Sequence, residues 1–145
     1  MTTVIKPAYS TTAIATGGRD GTSRTLDGAV DVKLATPKEL GGSGEGNNPE
    51  QLFATGYAAC YLGAVKFATL QDKTLPRLPA DFTVQATVGI GPRPDKGFGL
   101  KVDLLVSLPG LSQADADRLI EAGHGICPYS HAVHGNIEVT TTATL

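Results

Sequence analysis

At 145 residues, 41% of them apolar, and with a formal net charge of −2, the chain can build one domain around a packed core. That charge balance carries no like-charge run, which argues against nucleic acid or an anionic membrane surface as a partner. The two cysteines are far apart and form no Cys-x-x-Cys, so a disulfide scaffold is excluded.

The opening Met1–Pro7 lacks the basic-then-apolar order of a signal peptide, so a cytoplasmic protein with thiols reduced at rest is expected. Residues 9–16 alternate roughly between polar and apolar side chains and read as a strand. Gly17-Gly-Arg-Asp-Gly21 follows as a turn whose glycines permit positive φ, with Arg19 held at its tip. Residues 22–26 return as a second strand, Asp27-Gly28 signals a hairpin, and residues 29–35 read as a third strand.

A glycine-rich loop, residues 40–47, leads into the stretch around which the chain is organised, Asn48 to Phe67. Asn48 can cap a helix, Pro49 suits its first position, and Gln51 stands where a capping-box partner reaches back. From Gln51 to Val65 no residue is charged and small apolar side chains cover every face, the pattern of a buried helix. Its glycines and alanines and its run shorter than the ~20 residues of a membrane span point to a core helix reaching about Leu70. Cys60 lies near its middle.

Pro76 and Pro79 bracket a connector to the second half. Residues 82–90 and 98–108 read as strands joined by the long hairpin loop Gly91–Gly97. Ser112 caps a second helix with Asp115 at the capping-box position, and that helix is expected to fail around Gly123 or Gly125. Cys127-Pro128 opens a short helical turn ending at Gly135, and residues 136–145 form a threonine-rich last strand. The order βββα–ββαβ predicts an α+β domain spanning 1–145 with antiparallel sheets. Because the strands and second helix can cover only part of the central helix, the same helix of a second subunit is expected to complete its burial in an intertwined homodimer.

Cys60 reads either as a small buried hydrophobe or as a reactive thiol. Mid-helix it lacks the N-terminal dipole that lowers a thiol pKa, so a reactive Cys60 needs a cation delivered from elsewhere in the fold. Cys127 precedes a proline at a helix start with His124, His131 and His134 nearby, and reads as a buried loop thiol or a site residue. Cys127 and His131 share a helical spacing of four, but no four-ligand pattern completes a zinc site. Arg19 is either a solvated surface charge or a guanidinium offered to a thiolate, and Glu50 either complements the helix N-terminus or serves a site. No phosphate-binding loop, metalloprotease motif or Gly-x-Ser-x-Gly elbow occurs.

Three pieces taken together resemble the organic hydroperoxide resistance branch of the Ohr/OsmC family. They are Ala15-Thr-Gly-Gly-Arg-Asp-Gly21, then Asn48-Pro-Glu-Gln-Leu-Phe53 running on to Ala58-Ala-Cys-Tyr-Leu-Gly63, and Cys127-Pro-Tyr-Ser130 followed by Gly135-Asn-Ile137. The resemblance implies Cys60 as peroxidatic and Cys127 as resolving cysteine, with Arg19 and Glu50 activating the thiol. It also implies an intertwined homodimer of two central helices wrapped by antiparallel sheets, with the active sites at the subunit interface. The cycle it implies runs through a Cys60 sulfenic acid and a Cys60–Cys127 disulfide, recycled by dihydrolipoyl groups without metal, haem or flavin. His131 and His134 match nothing in it and are assigned no role.

On a single regular helix Glu50 and Cys60 stand about 15 Å apart, which rules out direct contact. Either Arg19 bridges that gap or Glu50 is supplied by the partner subunit, and we favour the partner. Phe53, Tyr57, Leu62 and the residues around Ile126 are expected to give Cys60 apolar surroundings, suited to alkyl or fatty-acyl hydroperoxides over hydrogen peroxide. The rival expectations are a non-enzymatic thiol sensor or apolar-ligand binder on the same scaffold, and a purely structural protein with inert thiols.

Overall fold

The computed structural model describes residues 2–145 and forms two compact units, one ending at Pro49 and one from Glu50 to Leu145. The first carries a three-stranded antiparallel sheet, β1 (Ala13–Thr16), β2 (Thr22–Thr25) and β3 (Asp31–Lys33), in that order. These strands are shorter than expected at both outer ends. Gly17 and Gly18, both at positive φ, turn β1 into β2 through a single 3-10 turn that holds Arg19. The Asp27-Gly28 turn forms as expected, with Asp27 accepting from the Ala29 N–H and the Thr25 hydroxyl. The glycine-rich loop is tied back onto the strand end: Asn47 donates to the Lys33 carbonyl, and the Ala35 N–H donates to that of Asn47.

The second unit begins on α1 (Pro49–Gln71) and continues through β4 (Thr83–Pro92), β5 (Phe98–Ser107), α2 (Gln113–Ile126), α3 (Pro128–Val133) and β6 (Val139–Thr144). The β4–β5 hairpin is antiparallel, and its long loop is pinned by Arg93, which pairs with Asp95 at 3.0 Å and donates to the Phe98 carbonyl. Here one expectation is corrected: β6 joins β5 in parallel, not antiparallel, giving a mixed sheet in the order β4-β5-β6. Parallel neighbours need a crossover of a dozen or more residues, and the segment carrying α2 and α3 supplies one.

The core of this unit lies where β5 meets the helices. Val102, Leu104 and Val106 alternate inward along β5 and are fully buried with Leu108. Against them pack Tyr57, Tyr61, Ala64 and Val65 of α1 and Ala116 and Leu119 of α2. Each such fully buried aliphatic contributes about 1.5–3 kcal/mol of transfer free energy. This cluster covers only one side of α1. Leu52, Phe67 and Leu70 on the same helix stay 38%, 49% and 67% exposed in the isolated chain. Among the described residues no helix is long and apolar enough to cross a membrane.

Ser112 caps α2 as expected, accepting from the Asp115 N–H at 3.1 Å. The helix passes through Gly123 and ends at Ile126, one residue past Gly125 and close to where it was expected to fail. Gly123 is there because α2 crosses α1 at that point: a Cβ would lie 2.6 Å from Val65 Cγ2 and 3.0 Å from Tyr61 Cζ and Oη. Gly123→Ala is therefore a contest between two effects. The helix gains about 1 kcal/mol of propensity, while overpacking costs about 1–3 kcal/mol. Tyr61 cannot swing away without giving up the 2.9 Å bond from its hydroxyl to the Ile120 carbonyl, so overpacking wins. We expect a lower thermal midpoint, by a few degrees, in calorimetry. A variant melting at or above the wild-type temperature would show that the two helices part freely.

Candidate active site

Cys60 sits mid-way along α1, half-buried, and Cys127 is fully buried at the junction between α2 and α3. Pro128 makes that junction: it disfavours a helical conformation at the residue before it, and Cys127 is extended, at φ −64° and ψ 119°. The break turns the Cys127 side chain inward. Its thiol donates to Cys60 across a sulfur–sulfur distance of 3.6 Å, and its sulfur accepts from the Ser130 N–H at 3.5 Å. Two residues 67 apart in sequence thus meet at one point.

Burial pushes the Cys60 thiol pKa above its ordinary value. A backbone hydrogen bond from Tyr129 pulls the other way, and the neighbouring Cys127 raises it again. The C-terminal unit therefore holds Cys60 as a thiol, and a thiolate nucleophile requires a cation from outside this cluster. Arg19 belongs to the N-terminal unit, on the tight turn after β1, and is half-buried there. Glu50 lies in the first turn of α1, well N-terminal of Cys60 on the same helix.

Beside the sulfur pair stand Phe53, Tyr57 and Tyr129, their ring centroids 5.8–6.0 Å apart. Tyr129 lies against α1 because Gly56 has no side chain, since a Cβ there would sit 3.0 Å from the Tyr129 hydroxyl. Of the apolar neighbours expected for Cys60, Tyr57 lies within electrostatic reach of both thiols, and Phe53 packs edge-on against Tyr57. Of the residues around Ile126, Cys127 and the Tyr129 backbone reach Cys60, while Ile126 itself ends α2 and is 36% exposed.

Four polar side chains form a chain through the interior. The Tyr57 hydroxyl meets Ser130 Oγ at 2.8 Å, Ser130 Oγ meets His124 Nδ1 at 2.8 Å, and His124 Nε2 meets Thr141 Oγ1 at 2.7 Å. Burial raises the Tyr57 pKa, against the pull of Ser130, and lowers that of His124, which favours the neutral imidazole. The Tyr61 ring packs on it with centroids 4.7 Å apart. A cavity of about 600 Å³ opens alongside, lined in part by Tyr57, His124, Ser130, His131 and His134, and neither cysteine lines it. Among the described residues no cluster of three histidine, cysteine or carboxylate side chains is placed to hold a metal ion.

In the sequence Tyr57 reads as an apolar neighbour of Cys60 and His124 carries no role. The signal was available. A tyrosine on a helix apolar on all sides must find a partner for its hydroxyl when buried, and Ser130 and His124 are the polar residues beside Cys127.

The model of the OsmC-like protein family matches residues 42–142. The organic hydroperoxide resistance protein of Xanthomonas axonopodis pv. citri is 49% identical over 138 residues, covering 94% of this chain and 95% of its own. Among solved structures, an organic hydroperoxide resistance protein from Legionella pneumophila superposes with a TM-score of 0.90 at 41% identity, covering 97% of this chain and 100% of its own. The organic hydroperoxide resistance protein OhrB of Bacillus subtilis does so with a TM-score of 0.82 at 33% identity, covering 95% and 100%.

Proposed function

The chain belongs to the OsmC-like family, in its organic hydroperoxide resistance branch, and from that premise we propose that it is a cysteine-based peroxidase reducing alkyl or fatty-acyl hydroperoxides to alcohols. The observation that carries this reading is the 3.6 Å contact between the Cys60 and Cys127 sulfurs.

The Cys60 thiolate attacks the terminal peroxide oxygen. A sulfur–oxygen bond forms, the O–O bond breaks, and the alkoxide takes up a proton to leave as alcohol. The Cys127 thiol then attacks the sulfur of the resulting sulfenic acid, the S–S bond forms, and hydroxide departs with the Cys127 proton as water. An external dithiol returns both cysteines to thiols by exchange and is itself oxidised to its disulfide. Dihydrolipoyl groups, free or carried on a lipoylated protein, fill that role. The cycle balances with thiols alone and needs no metal, haem or flavin.

Arg19 pairs with the Cys60 thiolate and steadies the developing alkoxide, and Glu50, from the partner subunit, orients the guanidinium. The raised pKa of Cys60 within its own unit supports the need for such a cation. A homodimer is supported by the apolar side chains of α1 that its own unit leaves uncovered, Phe67 and Leu70 above all. The wall of Phe53, Tyr57 and Tyr129 supports a preference for apolar peroxides.

The test is dihydrolipoamide oxidation on addition of cumene hydroperoxide, with hydrogen peroxide in parallel. We expect sustained turnover that favours the organic peroxide. One equivalent of disulfide without turnover would instead mark a thiol sensor, and two thiols untouched by excess organic peroxide would overturn both readings.

A further inference from the structure

The resolving cysteine is held by more than its own loop. Cys127 and Ser130 lie at opposite ends of the first turn of α3, joined by the hydrogen bond from the Ser130 N–H to the Cys127 sulfur. Ser130 is in turn gripped through its side chain. It is 7% exposed, and its single hydroxyl bonds Tyr57 on α1 and His124 on α2 at once, each at 2.8 Å. His124 is fixed by its other nitrogen to Thr141 on β6 and is packed by the Tyr61 ring, tilted 48° to the imidazole. The turn that presents Cys127 is thus tied to three other elements of the unit, and His124 is the group that reaches the sheet.

Resting on the cycle proposed above, we infer that His124 is a positioning residue for the resolving step: through Ser130 it holds the Cys127 sulfur beside Cys60. A neutral imidazole suits this task because it donates at one nitrogen and accepts at the other, so the chain from Tyr57 to Thr141 is satisfied in either direction. The imidazole touches neither sulfur in this network and takes no part in attack on the peroxide. Losing it leaves sulfenic acid formation intact and slows its capture by Cys127. A sulfenic acid that waits is open to a second peroxide, which adds an oxygen, gives Cys60 sulfinic acid and is itself reduced to alcohol.

Two isosteres separate positioning from general packing. In His124→Asn the amide sits where Nδ1 was and keeps the Ser130 bond. In His124→Gln the amide sits where Nε2 was and keeps only the Thr141 bond. The purified, reduced full-length protein is given a few equivalents of cumene hydroperoxide, quenched over time, and analysed by intact mass for sulfenic, disulfide and sulfinic forms. Wild type is measured first. Disulfide formation there upholds the cycle on which this inference rests, and its absence overturns the cycle and the inference together.

With the cycle upheld, we expect His124→Gln and Ser130→Ala to lose Cys60 thiol at the wild-type rate. They form disulfide about tenfold more slowly and divert a visible fraction to sulfinic acid. His124→Asn stays within about threefold of wild type. Wild-type partition in His124→Gln, or equal impairment in His124→Asn and His124→Gln, overturns the assignment. Should His124→Gln fail to fold, Ser130→Ala compared with Ser130→Thr carries the same test, with threonine keeping the hydroxyl and restoring the disulfide yield.

Discussion

Replacing Cys60 with serine is expected to lower hydroperoxide turnover by at least about a thousandfold, because an alcohol is neither ionised at neutral pH nor as nucleophilic as a thiolate. Cys127 is not a substitute, being fully buried with its sulfur committed to the Ser130 N–H. The exchange is nearly isosteric at a half-buried position, so the fold persists. Intact mass makes the assignment independent of any reductant. One equivalent of organic peroxide should remove two hydrogens from the wild type, add an oxygen to Cys127→Ser, and leave Cys60→Ser unchanged. Residual turnover in Cys60→Ser above a tenth of wild type would transfer the nucleophile to Cys127.

Arg19→Ala is expected to lower the rate of Cys60 oxidation about a hundredfold at pH 7, with two separable components. The first is ionisation. A guanidinium beside the sulfur stabilises the thiolate and lowers its pKa, so removing it raises the pKa and moves the reactivity profile to higher pH. Burial already raises the Cys60 pKa within its own unit, which makes the loss of a cation the more costly. The second component is alkoxide stabilisation, and it persists above the new pKa, where both proteins are fully ionised. Iodoacetamide alkylation across pH reads the first alone, and peroxide reduction across pH reads both. Arg19→Lys should fall between, keeping the charge and losing the planar fork. An unchanged alkylation profile in Arg19→Ala would remove Arg19 from thiol activation.

Local chemistry made much of this fold legible in the sequence. The Asp27-Gly28 turn, the Ser112 cap and the long β4–β5 loop all depend on a few adjacent residues, and all form as expected. The direction of β6 was not legible, because a threonine-rich run specifies a strand with one half-buried face but not the sense in which it pairs. Nor was the passage of α2 through Gly123. Read locally, glycine ends a helix, whereas here its missing side chain is what lets α1 approach. At the site, the cysteines are marked by their motifs, but their contact depends on Pro128 breaking the chain between α2 and α3 and on the packing of that junction against α1. No spacing of 67 residues encodes that.

The closeness of the two sulfurs also dictates stereochemistry. In the proposed cycle, with Cys127 3.6 Å from Cys60, one flank of the nucleophile is occupied before any substrate arrives, and the hydroperoxide is expected to approach from the opposite side. The new sulfur–oxygen bond then points away from Cys127. Displacement at sulfur proceeds with the incoming and departing atoms at opposite ends of a nearly straight line, and near-attack alignment of this kind is where orientation lowers a barrier most. In that proposed cycle, the contact that denies the peroxide one face of Cys60 would leave the hydroxyl of the sulfenic acid as a back-side leaving group, trans to the sulfur that expels it.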